Sequence, residues 1–390
     1  MSSPRLDLLI YAHDGRGLGH ASRSIAVGMA CRRLFKDLKV LFVSGTTMTA
    51  QLIGPAPLDW LKLPAYTSKV VQGKSIGDIG LSNFDDQDLG KLRTRALTQI
   101  IDLYRPRCVL VDHMPQGKHK ELLPALTTTK KFKTKWVLGV RGIVGDVDGV
   151  WSDLARTTFV QNYHHLFWYG DSTILGSQTL KQLQNHFSIT PIETGYVCRM
   201  AEFQYWRSEF DSSCDQLAGV ISIPWIGEKT NIILPHLLDA LMQLGDKYGL
   251  WQIFLPKKNA FSQNKVTKKL QALNYCQLNE PGQDYFDALL NCKVGVIYGG
   301  YNSLMDVLFS RTPSLVLLRA MQDLEQQNHV KALIESQTIH LILREETQVN
   351  TGKIAEDLKN LLVTSHHPLK TPNLSGAITA ANDLYNLIKN

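Results

Sequence analysis

The sequence predicts an α/β protein of two domains, each a parallel sheet wrapped in helices. Three observations carry that expectation. Short apolar runs alternate with helical patterns along most of the 390 residues, as in parallel sheets joined by crossover helices. A chain of this length exceeds what one core usually organises. Two Gly-rich turns, one near each end, follow an apolar run and open a helical pattern: Asp14-Gly15-Arg16-Gly17-Leu18-Gly19-His20 and Tyr298-Gly299-Gly300-Tyr301-Asn302-Ser303. Backbone N–H groups at such a turn, with the positive end of the helix, can hold a phosphate. Two such turns suggest two domains addressing one nucleotide-bearing ligand.

In chain order, residues 6–11 read as the first strand. Residues 21–34 follow as a helix, with Ile25, Ala26, Met29 and Ala30 on one face. Residues 40–43, 108–111 and 136–140 read as further strands. Residues 94–104 and 121–126 read as helices, and the polar, Gly-rich stretch 64–90 as a long loop near the sheet's C-terminal edge. The second half repeats the plan. Strands are expected at 218–223, 251–255, 295–298 and 315–318, with helices at 232–244 and 303–309. Mixed aromatic and charged residues at 196–215 mark the linker. The domain expectation is 1–200, then 216–372, with 373–390 as an amphipathic helix packing on either one. Its apolar positions Ala377, Ala381, Leu384 and Ile388 share a face.

Composition narrows the classes. Hydrophobic content of 44% and charge of 20% fit an ordinary globular chain. No apolar run approaches the roughly 20 residues that span a bilayer, and the N-terminal run lacks a cleavage pattern. The six cysteines have no CxxC spacing, so they read as reduced thiols of a cytoplasmic protein. Charge is uneven: residues 1–200 hold 25 Lys and Arg against 16 Asp and Glu, a net of +9, and the rest of the chain nets −2. The run Lys130-Lys131-Phe132-Lys133-Thr134-Lys135 is either a solvated loop before a strand or a face for anionic lipid at the inner side of a membrane or for an anionic acceptor. It lacks the interleaved aromatics of a nucleic-acid surface.

In the first turn, GxGxxG would need glycine where His20 stands, and no acidic residue follows the second strand, which excludes the NAD fingerprint. His20, at the helix start, suits general-base work near neutral pH; the plainer reading is a cap. His13, just before the turn, is a second candidate base. Arg23, one turn on, contacts a phosphate or carboxylate, or forms a surface ion pair. Asp112 and His113 end a strand, where α/β sheets place ligands. Asp112 orients a base, binds a hydroxyl or caps the next turn. Arg141 ends another strand of the same layer. In the second half, Gly299, Gly300, Asn302 and Ser303 are placed to donate to a diphosphate, unless the glycines only allow close packing. Asp306, one turn along, can accept two ribose hydroxyls. Glu325, Gln326 and Gln327 can take sugar hydroxyls or simply start a solvated helix. Nothing here requires a divalent metal or other cofactor: no zinc cluster, Walker loop or Ser-His-Asp elbow is present. Asp146-Val147-Asp148 matches a DxD pattern only in letters.

The segments GLGHASR, VDHMPQGKHKELLPAL, GVRGI, YGD and GGYNSLMDVLFSRTPSLVL occur in an order that resembles the bacterial predicted glycosyltransferases related to the peptidoglycan N-acetylglucosaminyltransferase, glycosyltransferase family twenty-eight. The resemblance spans roughly residues 6–335. It implies a GT-B fold, two Rossmann-like domains with parallel sheets facing a central cleft, with the nucleotide held by the C-terminal domain and the acceptor by the N-terminal one. It implies an inverting, metal-independent transfer of sugar from an NDP sugar, UDP being the first choice, to a hydroxyl acceptor. By motif match, Asp306 takes the ribose-binding position and Gly300, Asn302 and Ser303 the diphosphate turn. His20 takes the histidine of the N-terminal Gly-rich loop, with Gly17, Gly19, Arg23, His113 and Arg141 on the acceptor or phosphate side. A nucleotide-sugar hydrolase shares the first turn, and a non-catalytic nucleotide-sugar-binding subunit is a third option. The chain departs from the family after the first strand of the second domain. There Ile223-Pro224-Trp225-Ile226-Gly227 keeps one glycine, and Pro224 has no N–H to donate.

Overall fold

The computed structural model describes residues 5–13, 18–71, 74–207, 216–223, 230–255, 265–319, 324–364 and 367–390. The chain forms two compact units. Unit 1 joins residues 1–206 to 373–390, and unit 2 comprises 207–372.

Unit 1 contains nine strands among the described residues: β1 (Leu8–Ala12), β2 (Val40–Ser44), β3 (Asp59–Lys62), β4 (Thr67–Val71), β5 (Lys74–Asp78), β6 (Cys108–Asp112), β7 (Lys135–Arg141), β8 (His165–Tyr169) and β9 (Ile192–Glu193). Seven of them form one parallel sheet in the order β3-β2-β1-β6-β7-β8-β9. Strands β1, β2 and β6 are buried along their whole length. Helices cover both faces of such a sheet, which is why these strands read as continuous apolar runs without alternation. Helix α1 (Gly19–Leu34) is buried nearly all round, so its sequence carries little amphipathic signal.

The stretch 64–90 corrects the sequence reading. It is not one long loop: β4 and β5 pair as an antiparallel hairpin, and helix α2 (Asp86–Tyr104) begins inside it. The Asp85 carboxylate caps that helix by accepting from Asp88 N at 2.8 Å, a start signal the polar composition hides. Strand β8 is also missed by the sequence reading. Its HLFWY run has no period-2 pattern because all but its first residue is buried.

Among the described residues unit 2 has six parallel strands, β10 (Leu217–Ser222), β11 (Trp251–Phe254), β12 (Cys276–Asn279), β13 (Cys292–Tyr298), β14 (Ser314–Leu318) and β15 (Leu341–Glu345). They run in the order β12-β11-β10-β13-β14-β15. Helix α3 (Tyr301–Ser310) follows β13, and helix α4 (Glu325–Glu335) follows β14. Both units therefore have the Rossmann-like plan, with β1/β6 and β10/β13 as the places where strand order reverses.

The last helix, α5 (Gly376–Lys389), belongs to unit 1. Ala380, Ala381 and Leu384 are fully buried, Tyr385 stacks on Phe35 at 3.9 Å, and Asp383 meets His165 at 2.6 Å. The chain enters this helix by a bridge between Val197 and Ser375, and Tyr196 N donates to Asn373 O at 2.7 Å. A Cβ on Gly376 would lie 2.4 Å from Gly195 O, so only glycine allows this approach. The five described cysteines are all free and buried. No helix among the described residues is long and apolar enough to cross a membrane.

Candidate functional site

Strand register builds the first constellation. β1 lies between β2 and β6, and Tyr11 pairs with Val111; in turn Asp112 pairs with Gly139 of β7. His13, Asp112 with His113, and Arg141 thus leave the C-terminal ends of three adjacent strands, at the switch point where α/β sheets collect ligands. α1 starts there too and brings His20 and Arg23. Gly17 lies outside the described residues; Gly19 is the first residue of α1.

Asp112 is the hub. It is 2% exposed, as is Arg23. Arg23 donates to it twice, Nε to Oδ1 at 2.8 Å and Nη2 to Oδ2 at 2.7 Å, a bidentate pair of the strong kind. Arg23 is therefore a buried partner of a carboxylate, not a surface ion. His20 Nδ1 contacts Asp112 Oδ2 as well. A carboxylate only accepts, so this contact assigns the proton to Nδ1 and leaves Nε2 as the lone-pair nitrogen. Arg23 Nη2 also lies 2.9 Å from Nδ1, but Asp112 supplies its acceptor.

Three imidazoles gather around this hub. The His13 and His20 ring centres are 4.0 Å apart, His20 and His113 5.5 Å, and His13 and His113 6.2 Å. Burial pushes all three well below the ordinary value of 6.5, and Arg23, Arg141 and Lys118 lower His20 further. They are neutral bases at pH 7. The backbone at His113 is left-handed, with φ of +70°. It is fixed from both sides: His113 N donates to Gly139 O at 2.8 Å and Trp151 Nε1 donates to His113 O at 2.8 Å. A non-glycine residue held so firmly in that region is a feature of functional sites. Trp151 carried no sequence signal, because its partner sits 38 residues away on another element.

The second constellation is in unit 2. Gly299 N donates to Leu317 O at 3.1 Å. A Cβ there would meet the Leu318 side chain of β14 at 2.8 Å, so Gly299 allows the end of β13 to pack closely on β14. Gly300 differs. It is the N-cap of α3, with ordinary φ and no side-chain cap, and a Cβ on it would meet nothing within 4 Å. The protein itself does not demand glycine at this position. Asn302 and Ser303 lie in the first turn of α3, and Asp306 stands one turn beyond Asn302 on the same face. Glu325, Gln326 and Gln327 open α4. Tyr301 of α3 and His329 of α4 approach at 6.0 Å between ring centres, so the two helices come together near their starts.

The sequence reading missed Glu346 and the role of Tyr298. Tyr298 ends β13 and donates to Glu346 Oε1 at 3.1 Å; burial and this carboxylate push its phenol up. Pro224 and Trp225 lie outside the described residues. The acidic pair 146–148 has a structural partner: Asp148 Oδ1 is 2.9 Å from His186 Nδ1. Among the described residues, no group of three His, Cys, Asp or Glu is arranged to hold a metal ion.

No protein-family model and no curated protein sequence matches this chain. Solved structures do match over nearly its full length. The UDP-GlcNAc 2-epimerase from Methanocaldococcus jannaschii superposes with a TM-score of 0.63 at 13% identity, covering 99% of this chain and 100% of its own. The glycosyltransferase SnogD from Streptomyces nogalater gives 0.58 at 12% identity, over 99% and 95%. MurG from Acinetobacter baumannii gives 0.52 at 11% identity, over 99% of each chain. At these identities the likeness establishes architecture alone. Two parallel-sheet Rossmann-like units, one of seven strands and one of six, together with these neighbours, give the chain the GT-B fold.

Proposed function

We propose that this protein is an inverting, metal-independent glycosyltransferase that moves a sugar from an NDP sugar, UDP being the first choice, to an acceptor hydroxyl, as its resemblance to family twenty-eight implies. The observation that carries the proposal is the buried Asp112 carboxylate holding His20 through Nδ1. That arrangement leaves Nε2 as a neutral base of fixed orientation at the start of α1. The acceptor hydroxyl gives its proton to Nε2 as its oxygen bonds to the anomeric carbon. The bond from that carbon to the diphosphate oxygen breaks with its electron pair, and the NDP departs. Arg23 positions Asp112 rather than touching substrate. Arg141 and His113 stand on the acceptor side.

The donor reading rests on α3. Its N-terminal N–H groups and positive dipole end suit a diphosphate, and open space at Gly300 lets an anion approach the backbone. Asp306 would take the ribose hydroxyls, with Glu325, Gln326 and Gln327 toward the sugar. Asp306→Ala should weaken binding of the cognate NDP by roughly 1.5–3 kcal/mol per charge-assisted hydrogen bond lost. Calorimetric titration measures this, and unchanged affinity removes Asp306 from the site.

The neighbours include an enzyme named as a 2-epimerase, so one assay must separate three outcomes. The protein is incubated with UDP-N-acetylglucosamine, alone and with candidate acceptors, and both nucleotide and sugar are followed. Nucleotide release that needs acceptor supports transfer. Release without acceptor means hydrolysis. A changed sugar configuration on intact nucleotide means epimerisation, and either of the last two outcomes rejects the proposal.

A further inference from the structure

A groove of about 670 Å³ opens on unit 1 beside the first turns of α2, and the catalytic constellation does not use it. Lys91 and Arg95 line it from one face of α2, four residues apart. His119 and Lys120 enter from the turn after β6. Those two residues are left-handed, with φ of +53° and +67°, and follow Gly117 at +72°. Such a run does not persist unless its surroundings fix it. Here they do. Glu121, the next residue, is 0% exposed and is gripped by Arg93 through Nε at 2.8 Å and Nη2 at 3.0 Å. Tyr11 and Tyr66 also donate to Glu121. The Tyr66 ring packs against His119 at 4.7 Å and under Lys118 Nζ at 4.5 Å. A buried ionic core thus holds an exposed turn in a costly conformation and directs His119 and Lys120 at the groove.

The lining is mixed in a telling way. Arg95 and Lys120 are exposed, and among the described residues Asp86 is the only acid on the wall, 3.7 Å from His119. The neighbouring acids are otherwise engaged: Asp85 caps α2, and Asp88 meets Lys91 at 2.9 Å. Gln87, Thr94 and Asp86 supply hydroxyl partners. Gly90 forms part of the wall, and a Cβ on it would find only ordinary contacts with Tyr66 and His119.

We infer that this groove binds an anionic saccharide, its phosphate or carboxylate on Arg95 and Lys120 and its hydroxyls on Asp86, Gln87 and Thr94. It extends the acceptor reading of unit 1 by giving the acceptor a charged sugar remote from the reacting hydroxyl.

Calorimetric titration of the full chain with glucose 6-phosphate, glucuronate, glucose and inorganic phosphate tests this. One of the two anionic sugars should bind at least ten times more tightly than either glucose or phosphate alone. The double variant Arg95→Glu, Lys120→Glu should lose that binding about tenfold or more. The equally charged control Lys130→Glu, Lys133→Glu, on the same unit, should keep it. Anionic-sugar affinity that survives at Arg95 and Lys120, or falls equally in the control, overturns the inference. So does phosphate binding as tightly as the sugars, which would mark a site for free anions. The readout is binding, so a protein that transfers no sugar can still pass, and an active transferase can still fail.

Discussion

Asp112→Ala should destabilise unit 1 by about 3–5 kcal/mol, the usual result of removing one partner from a buried ion pair. Arg23 is 2% exposed, and two of its donors end on Asp112, so alanine leaves a desolvated guanidinium facing a cavity. Denaturant unfolding followed by circular dichroism measures the loss; the two units need not unfold together, so the transitions are fitted separately. The loss should be recovered in large part by pairing Asp112→Leu with Arg23→Met, which removes both charges and keeps volume. Turnover should fall in both variants, by no more than it does in His20→Ala, because His20 loses the carboxylate that fixes its tautomer. A loss below about 1 kcal/mol for Asp112→Ala would show that the pair is not the hub described here.

His20→Ala should lower turnover about 10²–10⁴-fold with donor affinity little changed. The wild-type pH profile carries the same information. Burial places the folded pKa of His20 well below 6.5, so the base is neutral at pH 7 and the acidic limb of kcat/KM should fall below 6.5. The limb should disappear in His20→Ala. Stability follows the same groups. The folded forms of His13, His20 and His113 resist protonation, whereas the unfolded chain takes protons near 6.5. Their contribution is therefore complete above 6.5 and is lost as pH falls below it. A normal rate in His20→Ala would move the base to His13 or Asp112.

What could be read in the sequence follows how local its cause is. β1, β6 and β13 were legible because parallel strands covered on both faces must be apolar throughout. The starts of α1 and α3 were legible from glycines. His20, Asp112 and Arg23 could each be nominated from position at a strand end or helix start. Their mutual contact could not, because Arg23 and Asp112 are 89 residues apart. The hairpin and cap within 64–90 were hidden by polar composition: a two-stranded ribbon off the main sheet has no need of an apolar run. The grip of Arg93 on Glu121 was hidden for the opposite reason, since two charged residues read as surface until a fold buries both.

The return of residues 373–390 to unit 1 bears on how the protein is made. Synthesis runs from the N-terminus, so unit 2 leaves the ribosome as a complete, contiguous folding body. Unit 1 does not. Its α1 and Phe35 lack their covering helix until residues 376–389 are made, and the Gly195–Tyr196 segment waits for Asn373 and Gly376. Unit 1 is thus begun before unit 2 and finished after it. A chain cut short before residue 373 has unit 2 whole and unit 1 with open apolar surface, the kind of intermediate that chaperones retain and proteases clear.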